Sequence, residues 1–165
     1  MAIGSLRDVY LDELSALYDS ELQIVRTLPR LAESAHDAEL RTALVRHAAE
    51  SRLHLERLDL IFTHWGEARG SQRSAGLTGI VQEADARLHD AATDEARDAA
   101  ILGAARRIEH YEIAAYGTVR AHARRLNRPD EARLLQETLD DESRADRLFA
   151  TIEDAAVWQP AALQT

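Results

Sequence analysis

Two short segments place metal-ligating side chains one helical turn apart: Glu50-Ser51-Arg52 followed by His54, and Glu142-Ser143-Arg144 followed by Asp146. Residues at i and i+4 share one face of a helix. Carboxylate oxygen with some imidazole nitrogen is a donor set that suits iron or manganese better than structural zinc. The two copies predict a carboxylate-rich dinuclear metal site inside a helical bundle. His47, one turn before Glu50, is either a further ligand or a group that orients one.

The elements that must position these groups can be read from the apolar periodicity. Ser5 with Asp8 opens a first helix as a capping-box variant. Tyr10, Leu14, Leu17, Glu21, Ile24, Leu28 and Leu31 then alternate steps of four and three, the stripe that faces a bundle core. Glu21 stands where an apolar residue belongs. Pro29 is expected to bend or loosen this helix without ending it. Asp37 caps a second helix running to about Trp65, with the stripe Leu40, Leu44, His47, Ser51, His54, Leu58, Ile61 and Trp65, and with Glu50 beside it.

The stretch from Gly66 to Gly76 has loop composition, and Leu77 to about Ala91 has the spacing of a short helix. Together they form a long crossover over about 66–92, which allows the second and third long helices to run parallel. Thr93 caps a long helix with seam residues Ile101, Ala105, Ile108, Glu112, Ala115, Val119 and His122, ending near Asn127. Pro129 opens the last helix at the first-turn position that proline tolerates. Its seam is Leu135, Thr138, Glu142, Ala145, Phe149 and Ile152, and after Val157 the tail is expected to fray.

Residues equidistant from a turn lie side by side in antiparallel helices. Counted from His36 and Asn127, Glu21 falls level with Glu50, and Glu112 with Glu142, so four glutamates meet in one layer if the hairpins pack in register. One turn along, His54 comes level with Tyr18 and Asp146 with Glu109. In a chain with 29 acidic residues, one Glu on a helical face is explained by solvation or an arginine partner. Four on seam positions at one height are not, because buried carboxylates repel and each costs several kcal/mol to desolvate. Two divalent cations satisfy that charge. His54 is read as a ligand, with a core histidine bonded to Tyr18 as the alternative, and Glu109 and Asp146 as terminal ligands or as acceptors beside them. His36, His64, His89, His110 and His122 are read as structural or surface residues. Tyr18, Tyr111 and Tyr116 are read as core packing rather than redox relays, and Trp65 and Trp158 as covers for core edges or an interface.

At 165 residues with a formal charge of −9, the chain is expected to form one domain and to bind neither nucleic acid nor an acidic membrane. The absence of cysteine excludes disulfides, thiolate metal sites and an in-chain rubredoxin-type module. Without a leader or an apolar span, the expected location is the cytoplasm.

Several segments resemble a known family, the ferritin-like stress-response proteins of the YciE and YciF type. They are Leu17-Tyr18-Asp19-Ser20-Glu21 with Leu28-Pro29, His47 with Glu50, Glu109-His110-Tyr111-Glu112-Ile113 through Thr118, and Leu134-Leu135 through Asp141-Glu142 with Asp146. The resemblance covers about residues 5–155. It implies an all-α ferritin-like four-helix bundle, a homodimer, and a dimetal centre on Glu21, Glu50, Glu112 and Glu142, with Glu109 and Asp146 nearby. Position 54 is more often Gln in similar sequences, so His54 makes this site richer in nitrogen. The resulting expectation is a stress-associated protein binding two divalent ions, iron in preference to manganese, that reacts with dioxygen or peroxide. The alternative is a metal-free helical dimer whose polar layer specifies register.

Overall fold

The computed structural model of the chain describes residues 3–156, and these form five helices. They are α1 (Leu6–Ser34), α2 (Ala38–Trp65), α3 (Ala75–Asp90), α4 (Asp94–Arg125) and α5 (Pro129–Ala156). The expected tail after Val157, with Trp158, lies outside the described residues.

The starts of α1 to α4 are each set by a side chain that satisfies an otherwise orphaned amide at the helix N-terminus. Ser5 Oγ accepts from Asp8 N at 3.2 Å, Asp37 Oδ1 from Leu40 N at 2.7 Å and Thr93 Oγ1 from Ala96 N at 3.1 Å. The crossover helix begins at Ala75, two residues before its expected start, because Ser74 caps it. Helix α1 continues through Pro29 to Ser34. Gly66 ends α2 at φ 62°, a left-handed conformation that glycine adopts without steric cost.

The seams assemble two apolar cores stacked along the bundle axis. One gathers Ile24, Leu28 and Leu31 of α1, Leu40 and Leu44 of α2, Ile101 and Ile108 of α4, and Phe149 and Ile152 of α5. The other gathers Tyr10, Leu14 and Leu17 of α1, Leu58 and Ile61 of α2, Tyr116 and Val119 of α4, and Leu135 of α5. Both α2 and α4 run from the first core to the second, while α1 and α5 run the opposite way. The crossover therefore does let α2 and α4 run parallel. Helix α3 lies along α4 and α1, pinned where Ser74 Oγ meets Tyr111 Oη at 2.8 Å and Ser74 N donates to Asp19 at 2.9 Å.

Candidate metal centre

Between the two apolar cores lies a polar layer contributed by all four long helices. Glu21 comes from α1, His47, Ser51 and His54 from α2, Glu109 and Glu112 from α4, and Glu142 from α5; all are at most 1% exposed. His47 Nε2 lies 3.0 Å from Glu109 Oε1 and 3.4 Å from Glu142 Oε2. His54 Nδ1 lies 2.9 Å from Glu142 Oε1 and 3.1 Å from Glu21 Oε1. Tyr116 donates to the same Glu21 oxygen at 2.6 Å. Two groups of donor atoms result, each with its members within 4.8 Å of one another: His47, Glu109, Glu112 and Glu142, and Glu21, His54 and Glu142. Glu142 belongs to both.

The layer is short of donors. Both carboxylate oxygens of Glu109, Glu112 and Glu142, and Oε2 of Glu21, have no hydrogen-bond partner among the described residues. Several lie close to an imidazole nitrogen without the alignment a hydrogen bond needs. Burial of such groups without compensation is costly, and burial and neighbouring charges shift their protonation accordingly. Burial, with repulsion from Glu21, Glu142 and Glu109, pushes the Glu112 carboxyl well above the carboxylate range. Burial also pushes Glu109 up to about 8, although His47 opposes the rise. Burial works against protonation of the histidines, but nearby carboxylates outweigh it. Glu109 holds His47 well above an ordinary imidazole, and Glu21 with Asp141 and Glu142 pushes His54 up to about 12. For Glu142 burial acts upward, yet the close approach of the His54 ring and the charges of both imidazoles bring it below the usual range. Burial and the charge of Glu21 raise the Tyr116 phenol, which keeps it a hydrogen-bond donor. Protons thus occupy the layer where positive charge is needed.

Of the residues read from the sequence as ligands, the fold brings together Glu21, His54, Glu109, Glu112 and Glu142. Glu50 and Asp146 are placed elsewhere. Glu50 is one-third exposed and stands 3.5 Å behind His47, at Nδ1, the nitrogen that faces away from the layer. The reason is helical phase: His54 is seven residues from His47 and returns to within about 20° of its direction, whereas Glu50, three residues on, points about 60° aside. Asp146 is drawn to the flank of α5 by α4, with Arg106 Nε and His110 Nε2 each at 3.2 Å.

The expected level pairing of Glu21 with Glu50 is also replaced, by Glu21 with His54. Side chains lean toward the N-terminus of their own helix. In an antiparallel hairpin this carries Glu21 away from the turn and His54 back toward it. The place expected for Tyr18 beside His54 is taken by Tyr116 of α4, its ring 6.4 Å from the imidazole. Tyr18 instead packs edge-on against Phe62 and under the Arg69 guanidinium. His36 and His122, read as structural or surface residues, each have a carboxylate partner, Asp94 at 3.5 Å and Glu13 at 2.9 Å. The residue that sequence reasoning missed is Asp141, whose Oδ2 lies 3.4 Å from His54 Nε2. Its only signal is its place beside Glu142, which is faint in so acidic a chain.

Residues 5–162 match the family described as a domain of unknown function, DUF892. The chain belongs to that family. YciF of Escherichia coli K12 is 33% identical over 147 residues, which span 88% of this chain and 89% of that protein. The crystal structure of the E. coli stress protein YciF superposes with a TM-score of 0.88 at 31% identity, covering 93% of this chain and 98% of that one. YcfI of Rhodopseudomonas palustris gives the same TM-score at 34% identity, covering 90% and 95%. A protein of Xanthomonas campestris, at 17% identity and a TM-score of 0.74 with 92% of each chain covered, shares the fold. The all-α ferritin-like fold that the resemblance implies is the fold of this chain. No described helix is long and apolar enough to cross a membrane.

Proposed function

We propose that this chain is a stress-associated member of its family whose central layer binds a dinuclear non-haem metal centre, with iron preferred over manganese. The observation that carries the reading is the set of buried, unpartnered carboxylate oxygens on Glu109, Glu112 and Glu142, arranged with two imidazoles in two groups that share Glu142. The donor chemistry fits: oxygen-rich, two nitrogens and no thiolate. His47, Glu109 and Glu112 would hold one ion, Glu21 and His54 the other, and Glu142 would serve both. The stress association is supported by the description of E. coli YciF as a stress protein.

A bound metal pair would supply redox chemistry toward dioxygen or peroxide. The chain's own residues do the rest. Tyr116 donates to Oε1 of Glu21 and leaves Oε2 free to face a cation. Leu17, Leu58 and Val119 on one side, and Ala48, Ala105 and Ile108 on the other, keep the layer between dry walls and strengthen every charge interaction within it. Glu109 and Glu112 release their protons as positive charge arrives. A cytoplasmic homodimer of single-domain subunits is the form in which we place this activity.

Metal analysis of protein purified without chelators tests the reading. Wild type should carry iron or manganese, and a Glu112→Ala, Glu142→Ala variant should not; equal, negligible metal in both would sink it. One observation favours the rival, a metal-free dimer serving as a stress-related interaction or structural module: protonation of Glu109 and Glu112 can itself quiet the layer. In that case chelation leaves the melting temperature unchanged, whereas a metal-loaded core loses stability by mass action.

A further inference from the structure

The two histidines present opposite ring nitrogens to the layer. His47 turns Nε2 toward Glu109 and Glu142, and His54 turns Nδ1 toward Glu142 and Glu21. Behind each ring, at the nitrogen facing away, stands one partly exposed carboxylate. Glu50 Oε2 lies 3.5 Å from His47 Nδ1, and Asp141 Oδ2 lies 3.4 Å from His54 Nε2. Asp141 is held in place from outside. Arg57 Nη1 donates to its Oδ2 at 2.7 Å and to Thr138 Oγ1 at 3.1 Å, and Arg144 takes the other oxygen.

A neutral imidazole carries one N–H, so the nitrogen that ligates a cation must be bare and the other must hold the proton. A carboxylate behind the ring that accepts from that N–H fixes tautomer and orientation and makes the ligating nitrogen more basic; here the two carboxylates stand 3.4 and 3.5 Å from those nitrogens, close by but not aligned as hydrogen bonds. Resting on the metal-centre reading above, we propose that Asp141, clamped by Arg57, is a positioning residue that keeps the His54 proton on Nε2 so that Nδ1 faces a divalent cation. Glu50 does the converse for His47, keeping the proton on Nδ1 and presenting Nε2. This gives Glu50 a place in the site without making it a ligand. It also ties the site to the α2–α5 surface through Arg57.

Zinc serves as a diamagnetic probe. In long-range 1H–15N spectra of the zinc-loaded protein, His54 is expected bound through Nδ1 and His47 through Nε2, assigned by loss of signal in His47→Gln and His54→Gln. Competition with a chromophoric chelator should show Asp141→Ala losing about 10- to 100-fold in zinc affinity. Asp141→Asn, which is isosteric and can still accept from Nε2–H, should recover most of that loss. Asp140→Ala is the control, because it removes the same charge from the next residue, which faces Gln136 on the surface at 2.8 Å; it should stay within about twofold. Equal losses in Asp141→Ala and Asp140→Ala, or both imidazoles bound through the same nitrogen, overturn the positioning role while leaving the metal centre standing. No zinc binding by wild type overturns the metal centre and the positioning role together.

Discussion

Two places in this bundle bury carboxylates, and they handle them in opposite ways. Near the open end of the second core, Glu131 is 2% exposed, yet Tyr10 Oη at 2.7 Å and Trp65 Nε1 at 2.9 Å both donate to its Oε2. The Arg128 guanidinium covers the Trp65 ring at 4.2 Å from its centroid and lies 3.9 Å from the other Glu131 oxygen. Every group there has a protein partner, so the cluster ties α1, α2 and α5 together and asks for nothing further. In the central layer, four glutamates and two histidines meet with too few donors in usable geometry. The difference teaches that burial alone does not mark a ligand site. The mark is burial together with lone pairs that the chain leaves free.

The largest effect separates the two places by substitution. Glu131→Ala leaves the buried Tyr10 hydroxyl and the half-buried Trp65 N–H without an acceptor and should cost about 3 kcal/mol in urea unfolding, with or without metal. Next in size is the response to a divalent cation. At free metal a hundredfold above Kd, wild type and Glu131→Ala should both gain about 2.7 kcal/mol per site, while Glu142→Ala should gain far less. A Glu142→Ala variant stabilised as much as wild type would erase the distinction between the two clusters.

Acidity gives a smaller, graded test. In the metal-free fold Glu109 stays protonated up to about pH 8 and Glu112 beyond the usual carboxylate range, whereas in the unfolded chain both ionise near 4.5. The native state therefore binds more protons over that window, and metal-free stability should fall as pH rises from about 4.5 to 8. The slope is at most about 1.4 kcal/mol per pH unit for each carboxyl. His54, raised from 6.5 to about 12, adds a loss of the same sign above about pH 6.5. A cation displaces these protons, so metal affinity should rise over the same window. Chemical denaturation and metal competition across pH 5–8 read the two opposite trends. The smallest effect belongs to Asp146→Asn. Its partners are partly exposed, so stability should change by no more than about 0.5 kcal/mol and metal affinity not at all; a loss of metal there would restore Asp146 as a ligand.

The helices and most of their ends were legible because Ser5, Asp37, Thr93 and Pro129 each act locally, within one turn of the boundary they set. Glu21, Glu112 and Glu142 were legible because a charge on an apolar seam stands out against its neighbours. Glu50 and Asp146 stand outside the layer for a different reason. The repeated motif in which each stands matches sequence spacing, while the fold selects on helical phase, and an offset of about 40° to 60° moves a side chain from the seam to its flank. Register between α1 and α2 also escaped simple counting, because the lean of side chains in antiparallel helices pairs Glu21 with His54 rather than Glu50. Asp141 acquires its meaning only when α2 and α5 meet, through His54 and Arg57.

The central claim is that the polar layer holds two cations sharing Glu142. Anaerobic titration of chelator-stripped protein with Fe2+ tests it most directly. Saturation at two ions per chain in wild type, with both lost or strongly weakened in Glu142→Ala, is the predicted result. The absence of saturable binding in wild type, or unaltered two-ion binding in the variant, would contradict it.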